Sequence, residues 1–185
     1  MLVKHVSLRS GIYLFLTFFS LLSCNGNEQK DAELTIPQRV NELMAKMTLQ
    51  EKIGQMNQYN GFWNVTGPLP KEGNAKDKYD HLAQGLVGSM LNVRGAREVR
   101  AVQEVAVNKS RLGIPLIIGF DLIHGYKTIS PIPLAESASW DLEAIRNSAA
   151  MGAKEASAAG INWTFAPMVD ITRDARWGRV MEGAG

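Results

Sequence analysis

Short apolar runs alternate with helix-spaced apolar positions along most of this chain. Residues 85–92 and 115–121 form runs that are too short for buried helices, so each predicts a buried strand. Residues 161–169 form a third run, which predicts a central strand, and a charged, aromatic segment follows it directly. Between the first two runs, apolar residues at helical spacing predict a helix with one inward face: Val99, Val102, Val105 and Ala106.

Two further helices are predicted before the first of these strands. Apolar residues at helical spacing follow Pro37, a residue that is favoured in the first turn of a helix. Thr48 and Glu51 form a capping-box pattern, which predicts a second helix that carries Ile53 and Met56 inward.

A long loop and a long helix complete the predicted elements. Residues 57–79 are rich in glycine and proline and predict a long loop. Ser139 is the predicted N-cap of a helix that ends near Gly160. The inward positions of this helix are predicted to be Leu142, Ile145, Ala149 and Ala153.

The predicted elements alternate as strand, helix, strand, helix, strand, an order that implies parallel strands in an α/β fold. Three strands within about ninety residues is the spacing of a (β/α)8 barrel, which usually needs about 250 residues. The prediction is therefore the N-terminal part of a (β/α)8 TIM-type barrel that is incomplete in this chain. The alternative is a small doubly wound sheet, but no glycine fingerprint for nucleotide binding is present.

Composition and charge exclude some classes of protein. The chain is 45% hydrophobic and 21% charged, which are ordinary values for a globular protein. The net charge is +2, but both excess bases, Lys4 and Arg9, lie in an N-terminal segment that contains no acid. The rest of the chain is neutral, so nucleic acid is not an expected partner.

Residues 1–24 predict a lipoprotein-type signal peptide. The apolar residues 12–22 are too few to span a bilayer, and they lead to Leu-Leu-Ser-Cys, which resembles a bacterial lipobox with Cys24 as the lipidated residue. Cys24 is the only cysteine, so the chain can form neither an internal disulfide nor a thiolate metal cluster. The alternative is an ordinary cleaved signal followed by a chance cysteine. Residues 25–35 predict a flexible tether, and residues 36–185 the folded domain.

The segment APMVDITRDARWGRVMEGAG resembles the APxxDxxRDPRWGRxxEGxGED signature of glycoside hydrolase family 3, the family of bacterial β-glucosidases and related exo-acting enzymes. Three other segments agree with the family in the expected order: MTLQEKIGQM, IPLIIGFDLIHGYKTISPIPLAESASWD and the alanine-rich helix before Gly160. Four ordered matches over residues 36–185 are more specific than any single match. One departure is Ala175, where the family usually has proline.

The resemblance implies that three residues hold the sugar. Asp121, in GFDLIHG, matches the aspartate that accepts hydrogen bonds from hydroxyls of the non-reducing-end sugar, and a carboxylate can accept from two vicinal hydroxyls together. Arg179, the second arginine of RWGR, matches an arginine that contacts the same sugar. Lys127 lies where many relatives place a basic residue that faces the pocket. The structural alternative is an Asp121 that caps a helix or pairs with Lys127.

Two other residues are assigned supporting roles by the resemblance. Glu182 is expected to orient Arg179, and His124 is expected to pack behind the turn at Asp121. The other charged residues of the last segment are interpreted as a structural ion network: Arg173, Asp174 and Arg176. No metal site and no cofactor are predicted, because the chain has three histidines without the spacing of metal ligands.

The implied function is the hydrolysis of terminal non-reducing β-D-glucosyl residues by an exo-acting, retaining β-glucosidase, acting on a β-linked gluco-oligosaccharide or aryl glucoside. No catalytic residue is expected in this segment, since the family's nucleophile lies in an SDW-like motif that is absent here and its acid/base in a second domain. The segment alone is therefore expected to be inactive.

Two alternatives to this function stay open at this point. One is a non-catalytic carbohydrate-binding or structural lipoprotein, and the other is a family member that acts on β-xylosides or N-acetylglucosaminides. Export to the periplasm or the outer membrane is expected, with membrane contact through the N-terminal lipid only.

Overall fold

The computed structural model describes residues 34–61 and 68–184. The predicted signal peptide, Cys24 and most of the predicted tether lie outside these residues. The chain divides into one unit that ends at Leu43 and a second unit, Met44–Gly185, to which the candidate site belongs. Among the described residues, no helix is both long enough and apolar enough to cross a membrane.

Two helices open the described chain: α1 (Ile36–Lys46) and α2 (Leu49–Gly54). The predicted capping box of α2 is present, because Thr48 Oγ1 accepts a hydrogen bond from Glu51 N at 3.2 Å and Glu51 Oε2 accepts one from Thr48 N at 2.8 Å. The inward prediction for Ile53 and Met56 is wrong, since both side chains are more than half exposed. α2 instead packs through Gly54, where an added Cβ would lie 2.5 Å from Leu86 Cα.

Four short strands form one parallel sheet in sequence order: β1 (Gln58–Asn60), β2 (Ser89–Leu91), β3 (Ile117–Phe120) and β4 (Trp163–Thr164). Tyr59 is paired with Met90, Met90 with Ile118, and Phe120 with Thr164. The carboxyl ends of all four strands therefore lie at one edge of the sheet, and the loops that follow them share this rim. The α/β prediction with parallel strands is confirmed.

Four helices lie between the strands: α3 (Gly73–Ala83), α4 (Ala96–Lys109), α5 (Pro133–Ala138) and α6 (Leu142–Ala158). After β4 come two 3-10 helices, Ala175–Trp177 and Val180–Glu182.

The prediction of one long loop over residues 57–79 is wrong. This stretch contains β1 and more than half of α3, so β2 is the second strand of the sheet and not the first. β1 has only three residues, too few to show an apolar alternation, and it is defined by backbone pairing with β2. α3 is mostly polar and buries only Tyr79 and Leu82, so its apolar period is weak.

The predicted long helix exists as α6, but its N-cap and its buried face differ from the prediction. Asp141 is the N-cap in place of Ser139, since its Oδ1 accepts hydrogen bonds from Glu143 N at 3.1 Å and Ala144 N at 2.9 Å. The residues that α6 buries are Gly152 and Ala156. The four predicted inward residues are exposed or half-buried, because α6 packs through its small residues.

The core lies between the two central strands and their helices. Met90 of β2 and Ile118 of β3 have no exposed surface. The predicted face of α4 packs onto them, with Val99, Val102 and Ala106 buried, so this prediction is confirmed.

Of the predicted central strand over residues 161–169, only the two residues of β4 form a strand. Ile161 is buried, but Trp163 and Phe165 are each more than a third exposed, and Val169 is 80% exposed. β4 pairs with β3 on one side only and is therefore an edge strand of the described sheet. The large apolar side chains at and just after this edge strand are therefore partly uncovered.

Candidate functional site

Asp121 and Arg179 lie in the loops that follow two adjacent parallel strands. Asp121 comes directly after the last residue of β3, and Arg179 lies in the loop after β4. The pKa of Arg179 is raised mainly by Glu182, and Asp121 and Asp170 add weaker electrostatic contributions. The Asp121 carboxylate and the Arg179 guanidinium therefore interact across the rim.

The described residues do not support the structural alternative for Asp121, in which it caps a helix or pairs with Lys127. Asp121 is exposed, caps no helix and forms no hydrogen bond or ion pair with Lys127 or any other described residue. Its carboxylate is consequently open to a ligand.

Glu182 binds one edge of the Arg179 guanidinium through both of its carboxylate oxygens. Arg179 Nε donates to Glu182 Oε1 at 2.9 Å, and Nη2 donates to Oε2 at 2.5 Å. This pair lowers the pKa of Glu182 and raises the pKa of Arg179, so both groups stay charged. The fork fixes the plane of the guanidinium and leaves Nη1 without a partner among the described residues.

The predicted ion network of Arg173, Asp174 and Arg176 is reduced to a pair. Asp174 caps the first 3-10 helix by accepting from Arg176 N at 2.9 Å, and its carboxylate also pairs with the Arg176 guanidinium. Within residues 68–184, no ion pair involves Arg173. The Arg176 side chain is 91% exposed, so this pair lies on the surface.

Residues 121–130 form a compact loop after β3, here called the β3 rim loop. Gly125 and Ile129 form an antiparallel bridge, and Ser130 N donates to His124 O at 2.9 Å. Lys127 lies at the tip between the bridged residues and is exposed. His124 is half-buried, with Nδ1 3.3 Å from Ser130 O.

Aromatic contacts join the β3 rim loop to the loop after β2, and no sequence motif indicated them. The guanidinium of Arg94 lies 5.1 Å from the ring centroid of Phe120, and the rings of Phe120 and Tyr126 meet edge to face at 5.4 Å. Gly95 N also donates to the Tyr126 hydroxyl at 3.2 Å. These contacts fix the backbone on both sides of Asp121.

A cavity of about 380 Å³ is lined by the β3 rim loop, α5, one face of α6 and the segment that includes β4 and the loop after it. Its lining is mainly apolar and includes three of the predicted inward residues of α6: Ile145, Ala149 and Ala153. The polar residues of the lining include His124, Glu136 and Glu182, while Asp121, Arg179 and Lys127 are not part of it. The sugar-holding candidates therefore stand on the open rim, and the apolar cavity is suited to packing.

No cluster of three or more potential metal-ligating His, Cys, Asp or Glu side chains occurs in the described part of the chain.

Parallel strands and alternating helices are the features of a segment of an α/β barrel-type domain. The exposed Asp121 carboxylate and the Arg179 guanidinium, which is oriented by Glu182, make the charged rim a candidate site for a small polar ligand. Residues 48–184 match the model of the glycosyl hydrolase family 3 N-terminal domain, and the chain belongs to that family.

Three similar proteins illustrate the relationship. The chain is 40% identical over 146 residues to the periplasmic β-glucosidase of Salmonella typhimurium, a match that covers 79% of this chain and 18% of the relative. It is 29% identical over 171 residues to a putative β-xylosidase of Formosa agariphila, covering 85% of this chain and 22% of the relative. A crystal structure of β-glucosidase from Listeria innocua with isofagomine superposes with a TM-score of 0.68 at 44% identity, covering 82% of this chain and 20% of that one.

The chain thus spans about a fifth of the length of these relatives. The resemblance to family 3 and the prediction of an N-terminal part of a TIM-type barrel are confirmed by the family match and the structural likeness. The roles of the individual site residues and the domain boundaries stay predictions.

Proposed function

We propose that the intact protein is an exo-acting, retaining β-glucosidase that hydrolyses terminal non-reducing β-D-glucosyl residues of β-linked gluco-oligosaccharides or aryl glucosides. Membership of family 3 and the β-glucosidase names of two similar proteins support this activity. The observation that carries the proposal is the Asp121 carboxylate, which has no hydrogen-bond or ion-pair partner among the described residues and lies on the same rim as the Arg179 guanidinium.

In this proposal, the segment provides one side of the sugar-binding site. Asp121 accepts hydrogen bonds from two vicinal hydroxyls of the terminal glucose, and Nη1 of Arg179 donates to a neighbouring hydroxyl oxygen. Lys127 adds a third contact from the tip of the β3 rim loop. Charge-assisted hydrogen bonds of this kind contribute about 1.5–3 kcal/mol each.

The catalytic step needs two more carboxyl groups, which are expected outside these 185 residues. In a retaining glycosidase they lie about 5–5.5 Å apart, one as nucleophile and one as acid/base. Asp121, Arg179 and Lys127 hold the ring so that its anomeric carbon meets the nucleophile in line. Contacts that strengthen as the ring distorts accelerate the reaction.

The test is an assay of the intact protein on nitrophenyl β-glucoside, β-xyloside and N-acetyl-β-glucosaminide. We expect the largest kcat/KM for the glucoside, and NMR of the first product should show retention at the anomeric carbon. Residues 34–184 alone should hydrolyse none of them, because the catalytic pair is expected elsewhere. Absence of hydrolysis of all three substrates by the intact protein would reject the proposed activity in favour of a non-catalytic role.

A β-xylosidase is the second candidate, favoured by the similarity to the putative β-xylosidase of Formosa agariphila. Xylose lacks the hydroxymethyl group of glucose, so the two activities differ in whether the site accommodates that group. A higher kcat/KM for the xyloside than for the glucoside would select this candidate.

We also propose that the protein is exported to the periplasm. The signal-like pattern of residues 1–24 and the periplasmic name of the Salmonella typhimurium relative support export. The finer proposal is lipidation at Cys24. Labelled palmitate should enter the intact protein but not its Cys24→Ala variant, and equal labelling of both would rule out a lipid at this residue.

A further inference from the structure

The tip of the β3 rim loop is bound by a single carboxylate from a distant helix. Glu155, on α6, accepts hydrogen bonds from Lys127 N at 2.8 Å and Thr128 N at 2.9 Å through Oε2. Its other oxygen, Oε1, accepts from the Thr128 hydroxyl at 2.6 Å. Three donors of the turn therefore converge on one side chain that lies 27 and 28 residues further along the chain.

The packing of α6 explains how Glu155 reaches this turn. Gly152 lies almost one turn earlier on the same face, and a Cβ built on it would lie 3.5 Å from Gly125 Cα, an ordinary contact distance. At Gly125, φ is +104° and an added Cβ would lie 2.0 Å from Thr128 O, so the turn itself is tight. At Gly152 the helix lies against the β3 rim loop, and Glu155, three residues later, binds the tip of that loop.

A carboxylate suits this position because it offers acceptors only. The Thr128 hydroxyl makes the largest contribution to lowering the pKa of Glu155, followed by the two backbone N–H groups, so the side chain is ionised near neutral pH. Alanine in place of Glu155 would leave the backbone N–H groups of Lys127 and Thr128 without this partner and would release the tip of the loop from α6.

We propose that Glu155 is a positioning residue of the glycosidase site, which holds the Lys127–Thr128 turn so that Lys127 meets the sugar. This proposal rests on the proposed function. Asp121 at the base of the loop is fixed separately, by the contacts of Phe120 and Tyr126. Glu155 therefore acts on the tip of the loop and leaves the base in place.

The test is a double-mutant cycle in the intact protein, with Glu155→Ala, Lys127→Ala and the double variant. We expect Glu155→Ala to lower kcat/KM on the preferred nitrophenyl glycoside about tenfold or more, mainly through KM, because small misplacements of a binding group are costly. When residue 127 is already alanine, the same change should lower kcat/KM less than about twofold. An equal loss in both backgrounds, or no loss at all, would overturn the proposal.

Two further variants separate positioning from general stability. Glu143→Ala removes an exposed acid in the first turn of the same helix, whose side chain forms no hydrogen bond or ion pair with any described residue, and should leave kcat/KM within about twofold of the parent. Glu155→Gln keeps the length of the side chain and an acceptor oxygen, so it should restore most of the activity that the alanine variant loses.

Amide hydrogen exchange tests, independently of activity, whether Glu155 holds the backbone of residues 127 and 128. The amides of residues 127 and 128 should exchange at least about tenfold faster in Glu155→Ala than in the parent, while amides of α4 stay unchanged. Unchanged exchange at residues 127 and 128 would overturn the proposal whatever the kinetics. If the intact protein hydrolyses no glycoside, the proposed function fails, and exchange alone then decides whether Glu155 holds the turn.

Discussion

The two loops that carry the candidate site are held in different ways. In the β3 rim loop, the tip is bound by Glu155, more than 25 residues away in sequence. In the loop after β4, each charged pair joins residues no more than three positions apart: Asp174 with Arg176, and Arg179 with Glu182. The base of that second loop is closed by one backbone hydrogen bond, from Ala184 N to Met168 O at 3.2 Å.

Polar contacts between neighbouring residues and polar contacts between distant residues therefore have different structural effects. A pair within one turn orients a side chain but leaves the position of its loop to packing, here the contact of α5 with the second 3-10 helix. A contact between distant residues fixes one segment relative to another. The same contrast holds away from the site, where Arg111 binds Glu51 across 60 residues with distances of 3.0 and 2.7 Å, whereas Lys76 pairs with Asp80 one helical turn away.

Asp121→Ala should have the largest effect on the site. Loss of two charge-assisted hydrogen bonds to the sugar should lower kcat/KM of the intact protein by about a hundredfold or more, with the melting temperature unchanged. Asp77→Ala, which removes an exposed acid of α3 and none of the loops after β3 and β4, is the matched control and should have no effect. An unaltered kcat/KM for Asp121→Ala would place the sugar elsewhere.

Arg179→Lys tests whether the orientation of the guanidinium matters in the loop after β4. Lysine cannot form the two-point contact with Glu182, so its charge stays but its orientation is lost, and we expect kcat/KM to fall by roughly tenfold. Arg176→Lys changes the neighbouring surface pair in the same way and should leave kcat/KM within about twofold. Similar losses in both variants would mean that the two local pairs do not differ in function.

Glu51→Gln tests a long-range link through its pH dependence. Arg111 and the amide of Thr48 lower the pKa of Glu51 from 4.5 to about 2, so the folded state binds its proton less readily than the unfolded state. The stabilising contribution is therefore fully present above pH 4.5 and is lost as the pH falls towards 2. The variant should melt below the parent at pH 7, and the gap should narrow with acidification.

The local Asp174–Arg176 pair is the comparison for the melting experiment on Glu51→Gln. Asp174→Asn should leave the melting temperature at pH 7 nearly unchanged, since its partner, Arg176, has an almost fully exposed side chain. A gap between Glu51→Gln and the parent that stays constant from pH 7 to pH 3 would contradict the assignment of the link to ionised Glu51.

Ala175→Pro should have the smallest effect. Ala175 begins a 3-10 helix, and the preceding Asp174 has φ −143° and ψ 122°, an extended conformation that a following proline requires. The substitution should stabilise the protein by about 0.4–1 kcal/mol through the unfolded state, without a change in kcat/KM. A lower melting temperature would show that the loop after β4 does not tolerate the fixed φ.

Features that depend on neighbours in sequence were determined by the sequence itself. The capping box of Thr48 and Glu51, the buried face of α4 and the family signature in the last segment all rest on residues a few positions apart, so their patterns can be read directly. The approach of Arg179 to Glu182 belongs to the same group, because only three residues separate them.

Tertiary structure alone decided the features that join distant or weakly patterned segments. β1 is a strand because β2 lies beside it, and its three residues carry no period of their own. Glu155 lies in the alanine-rich helix α6, where no sequence pattern assigned it a role, and its contacts with residues 127 and 128 arise from a loop that packing brings against Gly152. Local patterns fix the elements, whereas the distances between elements depend on how the whole chain buries its apolar surface.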